Sequence, residues 1–452
     1  MALKQMDALA ALREAAGEVI ETSLCDVQGN WLALVNAEEG KRLAFAANGE
    51  AALSALWKDV EKEADVKDVH VSVMALNANN AALVRRYVKW TAPTACGTKG
   101  ASIGFSDWLG EADAVVAELF GKRQLKPVLV DFTTEDSEAL QRYFVQAVDT
   151  ATWGVLEEGY KEGYGANAAG LKTEEEIVKA LLYGYSMIGF DCSDKIDLGI
   201  EKLSDEAVDK RFEQFNETFR AALHASYLNA EFKVGTSKIT FTENQLHRIV
   251  LEYGEAIMHI QFIYNSYLKN TPWDIDFELD LSKPGKVLTP QEHYLIGNEL
   301  QRNGIKLSSI CLDPLKDSEA VNDNLQLHCE IADTFGYRLS FKNADIAMND
   351  TAAAMKYLKG KVHFKMNNIL WMSAIELVKA LDADLFGKLC AACGCEATAD
   401  AADRVLVLGY RKALNPKEES NVAADMKAFL EAHHAEYAAA IKENVAAKLK
   451  NI

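Results

Sequence analysis

Apolar and polar positions along this chain follow two different patterns, with a change near residue 100. Up to that point, short runs typical of half-buried strands are interrupted by helical periods. We therefore predict a small N-terminal α+β domain over residues 1–95. Its predicted helices cover residues 1–21, 50–62 and 79–89, and its predicted strands cover residues 31–35, 42–46 and 69–74.

From about residue 100 to 380, apolar runs rich in β-branched and aromatic residues are separated by helical periods. Such runs are typical of strands buried on both faces of a parallel sheet. With an eighth strand near residues 163–168, they predict a TIM-type (β/α)8 barrel over residues 96–381. An open doubly wound sheet fits less well, and no GxGxxG motif follows a strand. The runs are ASIGFSD (101–107), KPVLVDFT (126–133), YSMIGFDC (185–192), IDFELDL (275–281), KLSSICLD (306–313), YRLSFKN (337–343) and KVHFKMN (361–367).

Two helical stretches fall outside this alternation. Residues 203–268 read as a long, charged insertion in the barrel, and residues 382–452 form an Ala-rich and Lys/Glu-rich C-terminal region. We expect these parts to cap the barrel or to mediate assembly into a homo-oligomer.

Net charge narrows the choice of partners. The 452 residues include 67 acidic and 48 basic side chains, which gives a formal charge of −19. Such a surface repels nucleic-acid phosphates and anionic lipid. We expect neither nucleic acid nor a membrane as a partner, whereas a small anionic ligand is compatible with a local cluster of Lys or Arg.

The N-terminus and the cysteines indicate the cellular compartment of the protein. Lys4, Asp7 and Arg13 interrupt the place of a signal-peptide core, and no run reaches the roughly 18 apolar residues of a membrane span. We therefore predict a cytoplasmic protein. Its eight cysteines are scattered and predict free thiols. The run Cys390, Cys393, Cys395 contains one CxxC without a second, so we interpret it as thiols and not as a zinc site.

Polar residues stand at the carboxyl end of each predicted strand, where side chains of a β/α barrel converge on one mouth. They predict a site for a sugar-sized ligand. The alternative is that individual residues cap the following helices. The strand-end residues are Asp107, Asp131, Asp191, Glu278, Asp280, Asp313, Lys342, Asn343, Lys365 and Asn367.

Two of these residues indicate catalysis more directly. A lysine at the end of a buried strand either meets an anion or has a pKa suited to Schiff-base chemistry, so Lys342 and Lys365 are candidate catalytic residues. A structural ion pair is the alternative for both. His363 shares a strand face with Lys365 and forms a candidate acid/base couple with it, or a simple hydrogen bond in the core.

A helix of the insertion carries Glu252, Glu255 and His259 at spacings of three and four. This spacing places two carboxylates and an imidazole on one helical face. It is compatible with a divalent metal site and equally typical of a solvated or oligomer-facing helix.

The segment DTATWGVLEEGYKEGYGANA at 149–168 resembles the signature of the tagaturonate epimerase family of bacterial hexuronate breakdown. The resemblance continues from about residue 140 to 385. It includes YSMIGFDCSD, EYGEAIMH, TPQEHYLIGNELQRNGIKL, HCEIADTFGYRLSF and VHFKMN.

This resemblance implies the interconversion of two keto-hexuronates that differ at one hydroxyl carbon, with a divalent metal such as Mn or Zn in the barrel mouth. Because that carbon is not next to the ketone, retro-aldol cleavage and re-addition is the economical route. The family features carried by matching positions are Trp153, Glu158, Glu162, Asp191, His259, Glu278, His293, His328, His363 and Lys365.

From these features we predict four metal ligands and two groups of active-site residues. The metal set is Asp191, Glu278, His259 and His293. The predicted catalytic residues are Lys365, Lys342, His363 and Glu158, and the predicted substrate-binding residues are Trp153, Glu162, Lys195, Asn343 and Asn367.

Lys195 and Lys342 stand where the family pattern has histidines. Three hypotheses follow from this departure. The chain is a sugar-acid epimerase or isomerase, a non-catalytic relative that binds a ligand or takes part in assembly, or a metal-free, lysine-dependent aldolase-type lyase.

Overall fold

The computed structural model describes residues 2–38, 40–49, 53–121, 125–281, 288–315, 318–348, 351–450 and 452, with the backbone alone over 318–322. The N-terminal part contains a five-stranded antiparallel sheet in the order β1-β2-β3-β5-β4. Its elements are α1 (Gln5–Ala16), β1 (Glu18–Val27), β2 (Asn30–Ala37), β3 (Gly40–Asn48), β4 (Val60–Val66), β5 (Val69–Met74) and α2 (Ala78–Tyr87).

Two predictions for this sheet were incomplete or wrong. The strand β1 was not predicted at all. The helix predicted over 50–62 begins at residues outside the described ones, and the rest of it is a 3-10 turn at Ser54–Leu56 followed by β4. Because β4 is an edge strand with mostly exposed side chains, it lacks the alternation of buried and exposed positions that marks a strand.

Eight parallel strands close a barrel, which confirms the predicted fold class. Seven coincide with the predicted apolar runs, and the eighth lies near the expected place, at Gly165–Leu171. Strands and helices continue as β6 (Ser102–Gly104), α3 (Asp113–Phe120), β7 (Lys126–Thr133), α4 (Thr134–Leu140), α5 (Phe144–Glu158), β8 (Gly165–Leu171), α6 (Glu174–Leu182) and β9 (Met187–Asp191).

The insertion follows β9 and is helical with one short hairpin. It contains α7 (Asp205–Phe212), α8 (Glu217–Tyr227), the paired strands β10 (Phe232–Val234) and β11 (Ser237–Ile239), and α9 (Glu243–Ile263), which ends in a π-turn at Tyr264–Leu268. The hairpin was not predicted.

The second half of the barrel then completes the ring, with β12 beside β9 and the last strand beside β6. Its elements are β12 (Asp276–Asp280), α10 (Pro290–Arg302), β13 (Ser309–Leu312), α11 (Ser318–Phe335), β14 (Arg338–Phe341), α12 (Ala344–Ala347), α13 (Thr351–Tyr357), β15 (Val362–Lys365) and α14 (Ile369–Leu381). The C-terminal region contains α15 (Ala383–Cys393), α16 (Arg404–Leu408), α17 (Tyr410–Ala413), α18 (Ala423–Ala432) and α19 (His434–Leu449).

Side-chain alternation along the strands explains how apolar packing and a polar mouth arise together. In β12, Phe277 and Leu279 are buried in the apolar core around the barrel, whereas Glu278 and Asp280 line a cavity at the mouth. The pairing of β12 with β9 places Asp280 opposite Asp191. Strand-end carboxylates from neighbouring strands therefore face the same cavity.

All eight cysteines are free thiols, as expected. Among the described helices, none is long and apolar enough to cross a membrane. The proposed domain boundaries, the cytoplasmic location and the homo-oligomer stay predictions.

Candidate active site at the barrel mouth

A cavity of about 590 Å³ opens where the barrel strands end. Strand-end residues from six strands contribute to its lining, as the sequence predicts. They are Asp131 on β7, Asp191 on β9, Glu278 and Asp280 on β12, Asp313 after β13, Lys342 and Asn343 after β14, and Lys365 and Asn367 on and after β15.

Lys365 forms the base of this cavity with two buried carboxylates. Its Nζ lies 2.5 Å from Glu278 Oε1 and 3.7 Å from Asp131 Oδ1. Ser309 Oγ donates a hydrogen bond of 2.8 Å to the other oxygen of Glu278. The three charged side chains are almost entirely buried, so their mutual interactions are strong.

Charge balance decides the protonation of this group. Burial alone lowers the pKa of Lys365, but Asp131 and Glu278 outweigh it and hold that pKa well above its ordinary value. Burial raises the pKa of Glu278, but the charge of Lys365 and the hydrogen bonds that the carboxylate accepts together lower it overall. Burial also raises the pKa of Asp131. The resting state is therefore an ammonium beside an ionised Glu278, and Asp131 is the carboxylate that takes up a proton more readily.

A second lysine pairs with a carboxylate nearer the rim. Lys342 Nζ donates to Asp280 Oδ2. Burial lowers the pKa of Lys342, but Asp280 outweighs burial and raises it overall. The ion-pair alternative is thus realised for both lysines, and neither is a free amine at neutral pH.

Amide and glycine residues surround Asp131 at the base of the cavity. Asn167 Nδ2 donates to Asp131 Oδ1 at 2.9 Å, and Asn367 Nδ2 donates to Ser106 Oγ at 2.7 Å. Asp131 Oδ2 and Asn167 Oδ1 are buried and have no hydrogen-bond partner among the described residues. Gly104 is required here because a Cβ would lie 2.5 Å from Asp131 Oδ2.

His363 lies below Lys365 on β15 and does not contribute to the cavity lining. Its Nδ1 is 2.9 Å from Ser102 Oγ and its Nε2 is 3.9 Å from Asp131 Oδ2. Burial, and then the charge of Lys365, lower the pKa of His363 to about 3. The ring is neutral, and Asp131 connects it to the cavity.

The four predicted metal ligands do not converge. Asp191 lies at the rim, where its Oδ1 accepts from the Ser193 backbone N–H at 2.8 Å. His259 packs against Phe190, with ring centroids 5.3 Å apart, on the outer side of the barrel wall. The face of α9 that carries His259 therefore packs against the apolar outer surface of the strands and does not face the mouth. Only Asp191 and Glu278 of the predicted set line the cavity.

His293 also lies behind the barrel wall, on α10. Its Nδ1 is 2.9 Å from Nδ1 of His328, and its Nε2 is 2.8 Å from the Tyr337 hydroxyl. Both imidazoles are buried, and burial lowers the pKa of His328 to about 4. These residues form a packed hydrogen-bonded group outside the site.

The other predicted site residues lie elsewhere too. Trp153 on α5 packs against the N-terminal sheet. Glu158 ends the same helix, where burial and the charges of Glu118 and Glu157 raise its pKa. Glu162 precedes β8 and so lies at the opposite end of the barrel.

Lys195 forms an ion pair of 2.9 Å with Glu255 and does not line the cavity. Both residues belong to segments that follow β9, the 3-10 turn at Ser193–Lys195 and the helix α9. Of Glu252, Glu255 and His259, which were predicted to share one face of α9, Glu255 therefore holds the helix to the loop.

Individual strand ends show the capping alternative. Asp107 accepts hydrogen bonds from the backbone N–H groups of Gly110 and Ala112, at 2.8 and 2.7 Å. Asp313 accepts from the Leu315 backbone N–H at 3.1 Å while also lining the cavity. Strand-end position alone does not distinguish a cap from a site residue.

The C-terminal region, which was expected to cap the barrel or to mediate assembly, contributes residues to the mouth that the sequence analysis did not identify. The Tyr410 ring on α17 stacks on Trp108, with centroids 3.4 Å apart and an interplanar angle of 7°. Its hydroxyl donates to Asp136 at 2.6 Å, and Arg411 Nε donates to the same carboxylate at 2.7 Å. All four side chains line the cavity. An aromatic and a basic residue adjacent in a helical tail are too common a pair to indicate this contact.

Comparisons with known proteins agree with this architecture. The chain matches the sequence profile of the UxaE family, tagaturonate epimerase, over residues 20–437. A tagaturonate/fructuronate epimerase of Thermotoga maritima is 27% identical over 383 residues, which are 82% of this chain and 78% of that protein. The glycerol-complexed crystal structure of fructuronate-tagaturonate epimerase UxaE from Cohnella laeviribosi matches with a TM-score of 0.85 and 25% identity, and the match covers 98% of each chain. The native crystal structure of the same protein matches with a TM-score of 0.84 and 26% identity.

Proposed function

We propose that this chain, which belongs to the tagaturonate epimerase family, interconverts keto-hexuronate epimers in the cavity at the barrel mouth. The observation that carries the proposal is the buried Lys365–Glu278 pair at the base of that cavity, because it offers a proton donor and a proton acceptor in one place.

The lining suits a small polyhydroxylated acid. A cavity of about 590 Å³ is in the size range of small-molecule sites. Nine carboxylates and four cations line it, so the carboxylate of a sugar acid needs one of the cations. Lys172 and Arg411 are the solvent-facing cations of the rim, and we place the substrate carboxylate there. The ketone and the hydroxyl groups then extend toward Lys365.

Epimerisation through carbon–carbon cleavage follows from these charges. A carboxylate, Asp280 or Glu278, accepts the proton of the hydroxyl on the carbon that is inverted. The bond between this carbon and the carbon next to the ketone breaks, which leaves an aldehyde and an enolate. The ammonium groups of Lys342 and Lys365 stabilise the enolate oxygen. After the aldehyde rotates, the bond forms again on its other face and the proton returns to the new alkoxide.

The metal that the family resemblance implies does not fit these residues. Among the described lining residues there is no histidine. Glu278 and Asp280, which would be its oxygen donors, each accept a hydrogen bond from an ammonium group. A divalent ion between them would meet two positive charges at close range. We therefore propose that Lys342 and Lys365 supply the positive charge at this mouth, and we derive no step through a metal.

Assay of the purified full chain with tagaturonate and with fructuronate tests the activity. We expect each to yield the other, and in D₂O the hydrogen on the inverted carbon is retained because the bond that breaks joins two carbons. Lys365→Met and Glu278→Gln are expected to lose at least about 100-fold in kcat/KM. Lys361→Met is the matched control, since Lys361 is a solvent-facing ion-pair partner of Asp333 just before β15. Absence of turnover with both keto acids, with and without added Mn or Zn, would refute the proposal.

The metal part has its own test. Turnover by chelator-treated protein is expected to equal that of untreated protein. A rate that depends on added Mn or Zn, and that Lys342→Ala does not change, would show that the lysines do not replace a metal.

A further inference from the structure

Two imidazoles and a carboxylate come together in the insertion, away from the barrel mouth. His224 on α8 and Glu243 and His247 on α9 each offer one ligand atom, and these three atoms lie within 4.8 Å of one another. Over the part of the chain that the structure describes, it is the only group of three or more metal-ligating side chains this close. We propose that these residues bind a divalent transition metal of the zinc class.

The spacing of the two imidazole donor atoms needs little adjustment to accept the ion. His224 Nε2 and His247 Nε2 are 2.8 Å apart. Ligand atoms of a tetrahedral zinc with Zn–N bonds of about 2.0–2.1 Å lie about 3.3 Å apart. A separation of the two rings by about half an ångström is therefore sufficient. Two histidines and one glutamate are a ligand set that zinc uses in proteins, with water in the fourth position.

The rings are held in the orientation that a metal requires. Asp209 Oδ1 lies 2.7 Å from His247 Nδ1, so the carboxylate fixes the proton on Nδ1 and leaves the Nε2 lone pair directed at His224. A carboxylate behind a ligating imidazole is the usual outer partner of a metal-bound histidine. Asn244 Nδ2 in turn donates to Asp209 at 3.3 Å.

Aromatic packing restricts the same two rings. Phe212 stacks on His247 with centroids 3.8 Å apart and an interplanar angle of 14°, and on His224 at 5.6 Å and 8°. His247 is buried and His224 half-buried, whereas Glu243 is exposed. The imidazole donors are thus preorganised, and the exposed carboxylate gives the ion a path from solvent.

Without the metal, His224 donates its Nε2 proton to His247 Nε2, which satisfies both atoms. When the ion binds, this proton moves to Nδ1 of His224, so that the Nε2 lone pairs of both rings are free to bind the metal. The ligands and Asp209 come from α7, α8 and α9, and no residue of the group lines the mouth cavity. The metal would tie three helices of the insertion together and take no part in the proposed epimerisation.

Zinc binding by the full chain, with any affinity tag removed, tests the proposal. After loading with zinc and gel filtration, we expect one equivalent of zinc per chain by elemental analysis and a thermal transition that rises with added zinc. His224→Gln and His247→Gln are expected to lose that equivalent and the thermal shift. Asp209→Asn is expected to weaken binding about 10–100-fold.

His259→Gln is the matched control, because His259 lies on the same helix and packs against aromatic rings. It is expected to keep the zinc. Should a histidine variant fail to fold by circular dichroism, Glu243→Gln at the exposed position replaces it, with weaker binding expected. Absence of bound zinc in the wild-type protein, or full retention of zinc by the two ligand variants, would overturn the proposal. Turnover is not a readout, so the result is independent of the proposed epimerase activity.

Discussion

A single ammonium group lies beside two buried carboxylates at the base of the barrel mouth. Lys365 contacts Glu278 directly and lies 3.7 Å from Asp131, and all three side chains are almost entirely buried. Removing one partner from such a group leaves an uncompensated buried charge, which costs more than the pair itself contributes. The same arrangement that prepares the site for chemistry therefore also determines whether this part of the barrel is stable.

Lys365→Met is expected to lower the free energy of unfolding by about 3–5 kcal/mol, because it leaves Glu278 without its cation. The double variant Lys365→Met/Glu278→Gln removes both charges and is expected to recover most of this loss, but no activity. Urea denaturation followed by circular dichroism measures the stability. Equal destabilisation of the single and double variants would show that the charge pair is not the cause.

At the scale of elements, the segment with the strongest family resemblance, residues 149–168, packs other elements together and does not line the barrel mouth. Half of this segment, residues 149–158, belongs to α5. Gly154 on this helix lies against α3, where a Cβ would be 2.7 Å from the Ala114 backbone nitrogen. Asp149 pairs with Arg85 on α2 at 2.8 Å. The segment is thus distinctive because it joins the N-terminal sheet, α3 and the barrel, and its Asn167 donates a hydrogen bond to Asp131 of the site.

Gly154→Ala is expected to destabilise the protein by about 1–3 kcal/mol, because the backbones of α3 and α5 would have to separate. Gly254→Ala on α9 is the matched control, since nothing lies within 4 Å of an added Cβ there. In a helix interior this change is expected to stabilise by up to about 1 kcal/mol. Chemical denaturation measures the change in the free energy of unfolding for each variant. A change of the same sign in both would contradict close packing at Gly154.

Over the whole molecule, several buried titratable groups connect stability to pH. Burial lowers the pKa of His328 to about 4 and, with the charge of Lys365, that of His363 to about 3. Well above pH 6.5 these rings are neutral in both the folded and the unfolded chain. As the pH falls below 6.5, the unfolded chain takes up protons first and stability is lost, until the folded-state pKa is passed. Asp345, whose pKa burial raises to about 6, has the opposite sign.

His328→Gln is therefore expected to flatten the pH dependence of unfolding between pH 6.5 and about 4, relative to the wild-type chain. The difference between the two proteins isolates this ring from the opposing carboxyl groups, and its full size is about 3 kcal/mol. Urea unfolding at a series of pH values measures it. A constant difference over this pH range would show that His328 is not kept neutral by the fold.

The sequence alone determined the barrel. Strands that are buried on both faces give continuous apolar runs, and eight such runs separated by helices are typical of a β/α barrel. It also determined that carboxylates and lysines occupy the strand ends, since period-two alternation assigns each of them a face. Asp131, Glu278, Lys342 and Lys365 were all identified in this way. The edge strand β4 was not, because its exposed faces remove the alternation that the inference depends on.

Only the tertiary structure decided which of the candidate residues meet. Whether His259 and His293 face the mouth or the outer wall depends on how their helices are rotated against the strands, and one face of a helix looks much like another in sequence. The contact of Tyr410 with Trp108, and of His224 with His247, joins residues about 300 and 23 positions apart. Such distances are set by packing of whole elements, and no local pattern encodes them.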